Sequence, residues 1–173
     1  MNTVVNALIE RRSVRKFSDQ SVPKELIEEI IKAGSFAPSA RNQQPGKVVA
    51  ITNPELISKL SKMNAEIMNV TSDPFFGAPV VLIVFAKKAT SHRVNDGTLI
   101  AGNILNATHA LGLGATWINR AREMFETPEG IELMNEWGFE EEYEGICNII
   151  IGYPAREIPK PPKRKENFSI WID

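Results

Sequence analysis

Cysteine is almost missing from this chain. Cys147 stands alone, so no intrachain disulfide can form and no cysteine-based metal site can be built. That excludes a small secreted fold stapled by disulfides and makes a reducing, cytoplasmic setting the expected one. An excess of charge of one sign is missing as well. The 20 Lys and Arg and the 21 Asp and Glu leave a formal net charge of -1, so no overall field draws the chain to nucleic acid or to an anionic membrane, and any anion site must be local. Histidine is confined to His92 and His109. Neither has a second histidine at ligand spacing, which points to structural or surface roles rather than to a metal centre. Long apolar runs are also lacking. Residues 1–12 carry about one helical turn of apolar side chains before charge intervenes, unlike a signal peptide, and no stretch reaches the roughly 18 uninterrupted apolar residues of a membrane span.

What is present suffices for one core. At 173 residues and 43% apolar composition, the chain reads as a single domain over residues 1–173 that removes roughly 70% of its unfolded surface from water. Thr3 is placed to cap a first helix in which Val4, Val5, Leu8 and Ile9 recur at helical spacing, and which runs out near Arg11 and Arg12. Pro23 opens a second helix, with Leu26, Ile27, Ile30 and Ile31 on one face and Gly34 as its stop. Residues 48–51 are a short apolar run bounded by turn formers, after which Asn53 and Pro54 cap and begin a third helix.

Residues 79–86 are nearly all β-branched or otherwise apolar and do not alternate, which predicts a central strand covered on both faces. A long helical pattern over 95–111 is rich in small residues (Ala101, Gly102, Ala107, Ala110), permitting close approach of another backbone within the subunit or across a dimer. Gly112 and Gly114 end it. A strand over 115–118, a helix capped by Thr127 with Pro128 at its first position, and a strand over 146–151 complete the ordered part. With no internal repeat and no linker, helices and strands share one core in an α+β arrangement.

The tail is the odd part. Pro154, Pro159, Pro161 and Pro162 keep it out of a helix, yet Phe168, Ile170 and Trp171 near its end are costly to leave in water. An arm laid on a partner subunit reconciles the two.

The near-neutral total conceals two basic clusters: Arg11, Arg12, Arg15 and Lys16 at one end, Lys160, Lys163, Arg164 and Lys165 at the other. Arginine's planar fork makes two parallel charge-assisted hydrogen bonds to a phosphate, and Ser13 between arginines adds a neutral donor. Composition alone favours a solvated helix end. The loop Ala37, Pro38, Ser39, Ala40, Arg41, Asn42, Gln43, Gln44, Pro45 is dense in amides and hydroxyls. It is either a plain connection or a set of donors and acceptors, chiefly Asn42 and Gln44, matched to the edge of a flat heterocycle.

Taken together and in order, four segments resemble the FMN-dependent nitroreductase family over essentially the whole chain: Arg11, Arg12, Ser13, Val14, Arg15; then Ala37, Pro38, Ser39, Ala40 with Asn42, Gln44 and Pro45; then Asp96 leading a helix into Leu111, Gly112, Leu113, Gly114; and Ile151, Gly152, Tyr153, Pro154 before a basic tail. The resemblance implies a central mixed or antiparallel sheet flanked by helices and an intertwined homodimer with an extended C-terminal arm and FMN at the interface. Arg11, Arg12, Ser13 and Arg15 would hold the phosphate, ribityl chain and pyrimidine edge, with Arg164 and Lys163 adding charge. Pro38, Ser39, Ala40, Asn42 and Gln44 would come from the other chain. Trp117, Ile118 and Asn119 would lay backbone beside the isoalloxazine and point an NH at N5. Hydride from NADH or NADPH would enter the flavin, and a nitroaromatic or quinone-type acceptor would take it in a ping-pong cycle, with no side chain acting as nucleophile. Donors along the pyrimidine edge would stabilise the charge of the reduced flavin, Arg15 foremost among them.

The chain departs from the family pattern at Asn119 and Arg120, where an acidic residue and a glycine are common, and at Gly46, where an aromatic residue is. Those positions bear on the nicotinamide donor and on the pocket over the flavin. A reductive dehalogenase or flavin-processing enzyme of the same fold, an FMN carrier without turnover, and a polybasic binding module are the competing readings. The last is disfavoured by the near-zero net charge and by the missing aromatic platform. Cys147 in an apolar strand reads as a buried inert thiol, and Trp117 serves equally as a core aromatic or as a flavin neighbour.

Overall fold

In a computed structural model, which describes residues 2–140 and 142–172, the unbroken apolar run becomes an inner strand. β1 (Gly46–Ile51), β2 (Val80–Lys87), β3 (Gly114–Ile118) and β4 (Tyr143–Gly152) form one sheet in the order β1-β2-β4-β3, every pairing antiparallel. Inner position explains the missing alternation: both faces of β2 are covered. Val81, Ile83 and Phe85 point to a cluster shared with α3 (Pro54–Met68), α5 (Ala121–Glu126) and α6 (Pro128–Glu136). Val80, Leu82 and Val84 point to a second cluster with α2 (Lys24–Ser35) and α4 (Arg93–Ala110). Truncating the fully buried Leu82 or Ile83 to Ala would cost about 2–5 kcal/mol.

Caps account for several boundaries. Asn53 accepts the Leu56 N–H at 2.9 Å ahead of Pro54, and Thr127 accepts the Gly130 N–H at 3.1 Å ahead of Pro128. Three expectations need correction. The first helix, α1 (Thr3–Glu10), is capped by Asn2, whose side chain accepts the Val4 N–H, and not by Thr3. Gly34 does not stop α2; it lies inside the helix, where a Cβ would sit 2.8 Å from the Ile104 side chain, so the residue serves close packing against α4. The short helix α5 arises in a stretch where none was expected.

The segment that positions the arginines runs along the free edge of β3 and then past the end of β4. The Val14 N–H donates to the Ala115 carbonyl at 3.0 Å, the Thr116 hydroxyl donates to the Val14 carbonyl, and the Ser18 N–H donates to the Tyr153 carbonyl at 2.9 Å. Two glycines make this approach possible. Gly114 and Gly152 face one another across β3 and β4, and a Cβ on either would lie 2.7 Å from Val14 or 2.8 Å from the Phe17 ring. Beyond Pro154 the chain is extended, and Phe168 and Trp171 are 92% and 87% exposed, so nothing among the described residues covers them.

Candidate functional site

Helix α1 ends because residues 13–16 are drawn onto the sheet edge. The Arg11 N–H still closes the last helical turn on Ala7, after which the backbone turns extended. The arginines therefore leave a helix end on a chain fixed by β3. Arg11 and Arg12 are half-buried, while Ser13 and Arg15 face outward. Arg15 lies over the Phe76 ring, its guanidinium carbon 5.9 Å from the centroid.

Arg12 is the informative member. One terminal nitrogen donates to the Arg11 carbonyl, but Nε and Nη2 are buried with no hydrogen-bond partner among the described residues. Native structures rarely leave buried donors unmade. The Arg12 pKa is lowered, first by burial, then by repulsion from Arg164 and Arg11, with Glu10 opposing. Two further cations thus crowd one unsatisfied fork, an arrangement that an anion with paired oxygens relieves. Arg164 reaches this cluster from the tail. Lys163 pairs instead with Glu166 at 3.1 Å. His109, in the last turn of α4, belongs to the same neighbourhood: burial pushes its pKa down, Glu10 opposes, and Arg11 and Arg12 add to the lowering.

The polar loop is built rather than slack. The Ser39 hydroxyl accepts the Gln44 N–H at 2.9 Å, the Gln44 amide donates to Asn42 Oδ1 at 2.9 Å, and the Ala40 N–H donates to Asp96 Oδ1 at 3.0 Å. Arg41, Asn42 and Gln44 all hold positive φ, near 50°. Such conformations cost roughly 1–2 kcal/mol each for non-glycine residues and persist where the surroundings impose them. Pro38 is exposed, and Pro45, where the loop enters β1, is buried.

One chain does not bring the two polar elements together. Asp96 holds the loop at the first turn of α4, and His109 sits beside the arginines at its last turn, so the two lie about 20 Å apart along the helix. At the end of β3, Trp117 is half-buried and donates from Nε1 to Asn119 Oδ1 at 2.6 Å; Ile118 is buried in the core. Sequence reasoning missed Asn64 and Asn148, whose amides meet the Asn119 carbonyl from inside the protein. A local signal is there: Asn148 interrupts the apolar run 146–151, and Asn64 falls four residues after Leu60 on the apolar stripe of α3, so both polar side chains sit at positions whose pattern is buried.

Cys147 is fully buried and its thiol is pushed up by burial, while His92 is exposed ahead of α4. A cavity of about 710 Å³ between α3 and the loop leading into β2, bordered by Val22, Ile57, Ser61 and Val80, includes none of the expected site residues. Among the described residues no helix is long and apolar enough to cross a membrane.

Comparison with known proteins gives a consistent set of likenesses. The profile of the nitroreductase family matches residues 8–153. A protein of Methanothermobacter thermautotrophicus named "Putative NADH dehydrogenase/NAD(P)H nitroreductase" is 33% identical over 156 residues, which is 88% of this chain and 78% of the relative. The FMN reductase [NAD(P)H] of Bacillus subtilis is 26% identical over 182 residues, 94% of this chain and 70% of its own. A crystal structure of a nitroreductase with bound FMN from Bacteroides fragilis superposes with a TM-score of 0.91 at 21% identity, covering both chains in full, and shares the fold.

Proposed function

The chain belongs to the nitroreductase family, and on that premise we propose that it is an FMN-dependent oxidoreductase that uses NADH or NADPH to reduce nitroaromatic or quinone-type acceptors. The observation that carries this reading is the Arg12 guanidinium, with two buried nitrogens lacking any protein partner and with Arg11 and Arg164 close by. A doubly charged phosphate oxygen set supplies both missing acceptors and offsets the mutual repulsion of the arginines.

In this reading Arg11, Arg12 and Ser13 hold the phosphate and ribityl chain, Arg164 adds charge, and Arg15 reaches the pyrimidine edge. Lys163, engaged with Glu166, contributes field rather than contact. FMN held by these residues would supply the redox chemistry, a two-electron exchange between nicotinamide and acceptor. The protein's own part is to bind, orient and exclude water. Trp117, Ile118 and Asn119 border the ring from the end of β3, and no side chain is required as nucleophile.

The roughly 20 Å between the two polar elements supports a homodimer in which Pro38, Ser39, Ala40, Asn42 and Gln44 of a second copy complete the site. The unpartnered apolar face of α1, with Val4, Val5, Leu8 and Ile9 exposed, and the uncovered tail residues support the same assembly. A cytoplasmic setting agrees with the lone buried thiol. Anaerobic mixing of the purified yellow protein with NADH or NADPH tests the function: bleaching of the visible flavin bands, and their recovery on adding a nitroaromatic or a quinone, is the expected result. A colourless protein, or one bleached by dithionite but by neither nicotinamide, contradicts it.

A further inference from the structure

Two asparagines are fully buried where apolar side chains would serve packing better: Asn64 on α3 and Asn148 on β4. Their amides converge on one atom. Asn64 Nδ2 donates to the Asn119 carbonyl at 2.8 Å, and Asn148 Nδ2 lies 3.4 Å from the same oxygen and 3.5 Å from the Ile118 carbonyl. The Met124 sulfur is a weaker acceptor for both, at 3.3 and 3.5 Å. Exchanging amide oxygen and nitrogen would set oxygen against carbonyl oxygen, so the acceptors fix the orientation. The two Oδ1 atoms are left buried without partners among the described residues. Orphaned acceptors destabilise a fold. Stability alone therefore does not account for a pair of buried amides serving one carbonyl.

What the pair does control is the direction of a peptide. In a planar trans peptide the carbonyl of one residue and the N–H of the next point to opposite sides. With the Asn119 carbonyl held inward between α3 and β4, the Arg120 N–H is turned out of the core. It makes no hydrogen bond among the described residues. Arg120 itself holds φ at 77°, a conformation that a non-glycine residue keeps only under constraint and that rotation of the preceding peptide could relieve. From the other side, Asn119 is tied to Trp117 Nε1.

We propose that Asn64 and Asn148 are positioning residues that lock the 119–120 peptide, so that the Arg120 N–H is presented as a fixed donor to an acceptor atom on the ring of the bound heterocycle. The inference rests on the FMN reading given above. Fixed donors act without reorganising when the ligand arrives or when its charge changes, which is what two buried amides on separate elements secure.

The test uses the full-length protein, apo and loaded with FMN, alongside the double variant Asn64→Leu/Asn148→Leu. Leucine fills similar space and removes both orphan oxygens, while the Asn119 carbonyl loses its donors and is freed to turn toward water, so the apo variant should remain folded. Its affinity for oxidised FMN should nevertheless fall about tenfold, with affinity for inorganic phosphate unchanged. Independently, in the parent protein, hydrogen exchange at the Arg120 amide should be fast in the apo form and strongly slowed once FMN is bound. Should the double variant fail to fold, the single variant Asn148→Leu, which leaves the shorter Asn64 bond in place, is read by the same FMN and phosphate titrations in its stead. FMN bound equally tightly by the double variant, or an Arg120 amide that stays unprotected in the loaded parent, overturns the lock. A parent protein that takes up no FMN overturns instead the functional reading beneath it.

Discussion

The buried carboxylate of Asp96 accepts the Ala40 N–H at 3.0 Å and so joins the first turn of α4 to the loop bearing Ser39, Asn42 and Gln44. The loop's three left-handed residues need such an anchor. Replacing Asp96 with Ala removes the acceptor and should cost about 1–3 kcal/mol of stability in denaturant titration, with weaker FMN retention. Asp96→Asn keeps an oxygen for Ala40 and should recover most of both. Equal loss in the two variants would show that charge, and not the anchoring bond, is what matters.

At the opposite end of α4, His109 should report on the anion. Its pKa lies below the ordinary 6.5 because of burial and of Arg11 and Arg12, with Glu10 in opposition. The unfolded chain therefore binds this proton first: stability is retained above about pH 6.5 and falls as pH drops from there through the lowered folded value. A phosphate among the arginines cancels their repulsion of the imidazolium. Proton-detected titration should show a midpoint below 6.5 in the apo protein and an upward move with FMN. A midpoint unmoved by FMN would place the phosphate elsewhere.

Gly114 is the contact through which sheet geometry reaches the arginines. A methyl group there would press on Val14 at 2.7 Å and push residues 13–16 off the β3 edge. Gly114→Ala should cost about 1–3 kcal/mol in stability and weaken FMN binding, while inorganic phosphate, which needs fewer aligned donors, should suffer less. Unchanged FMN affinity would mean that the edge pairing does not position the grip.

The exposed Phe168, Ile170 and Trp171 lead to a prediction about assembly. Deleting residues 166–173 should shift sedimentation toward the monomer and loosen FMN in parallel, because the second copy's loop leaves with the second copy. A truncated chain that remains fully dimeric would remove the arm from the interface.

Much of the fold is legible because its signals are local. The unbroken apolar run of β2, the Asn53 and Pro54 start of α3, and the Thr127 and Pro128 start of α6 lie where the residue pattern puts them. α5 is too short to display a helical period, and Gly34 reads as a stop because its partner, Ile104, is distant in sequence. The site divides in the same way. Arg11, Arg12, Ser13 and Arg15 form a contiguous motif, visible as such. The anchors Asp96 to Ala40, Asn64 to Asn119 and Asn148 to Asn119 are formed by long-range folding, so their partners stay hidden in the sequence until the helices and sheet are assembled.

The phosphate grip at Arg12 is the central claim, and riboflavin, which is FMN without its phosphate, isolates it. Titrating both into the apo protein and into Arg12→Ala should show FMN bound by the parent at least about tenfold more tightly than riboflavin, with that difference largely gone in the variant. Equal affinity of the parent for the two flavins, or an undiminished preference for FMN in Arg12→Ala, would contradict the account.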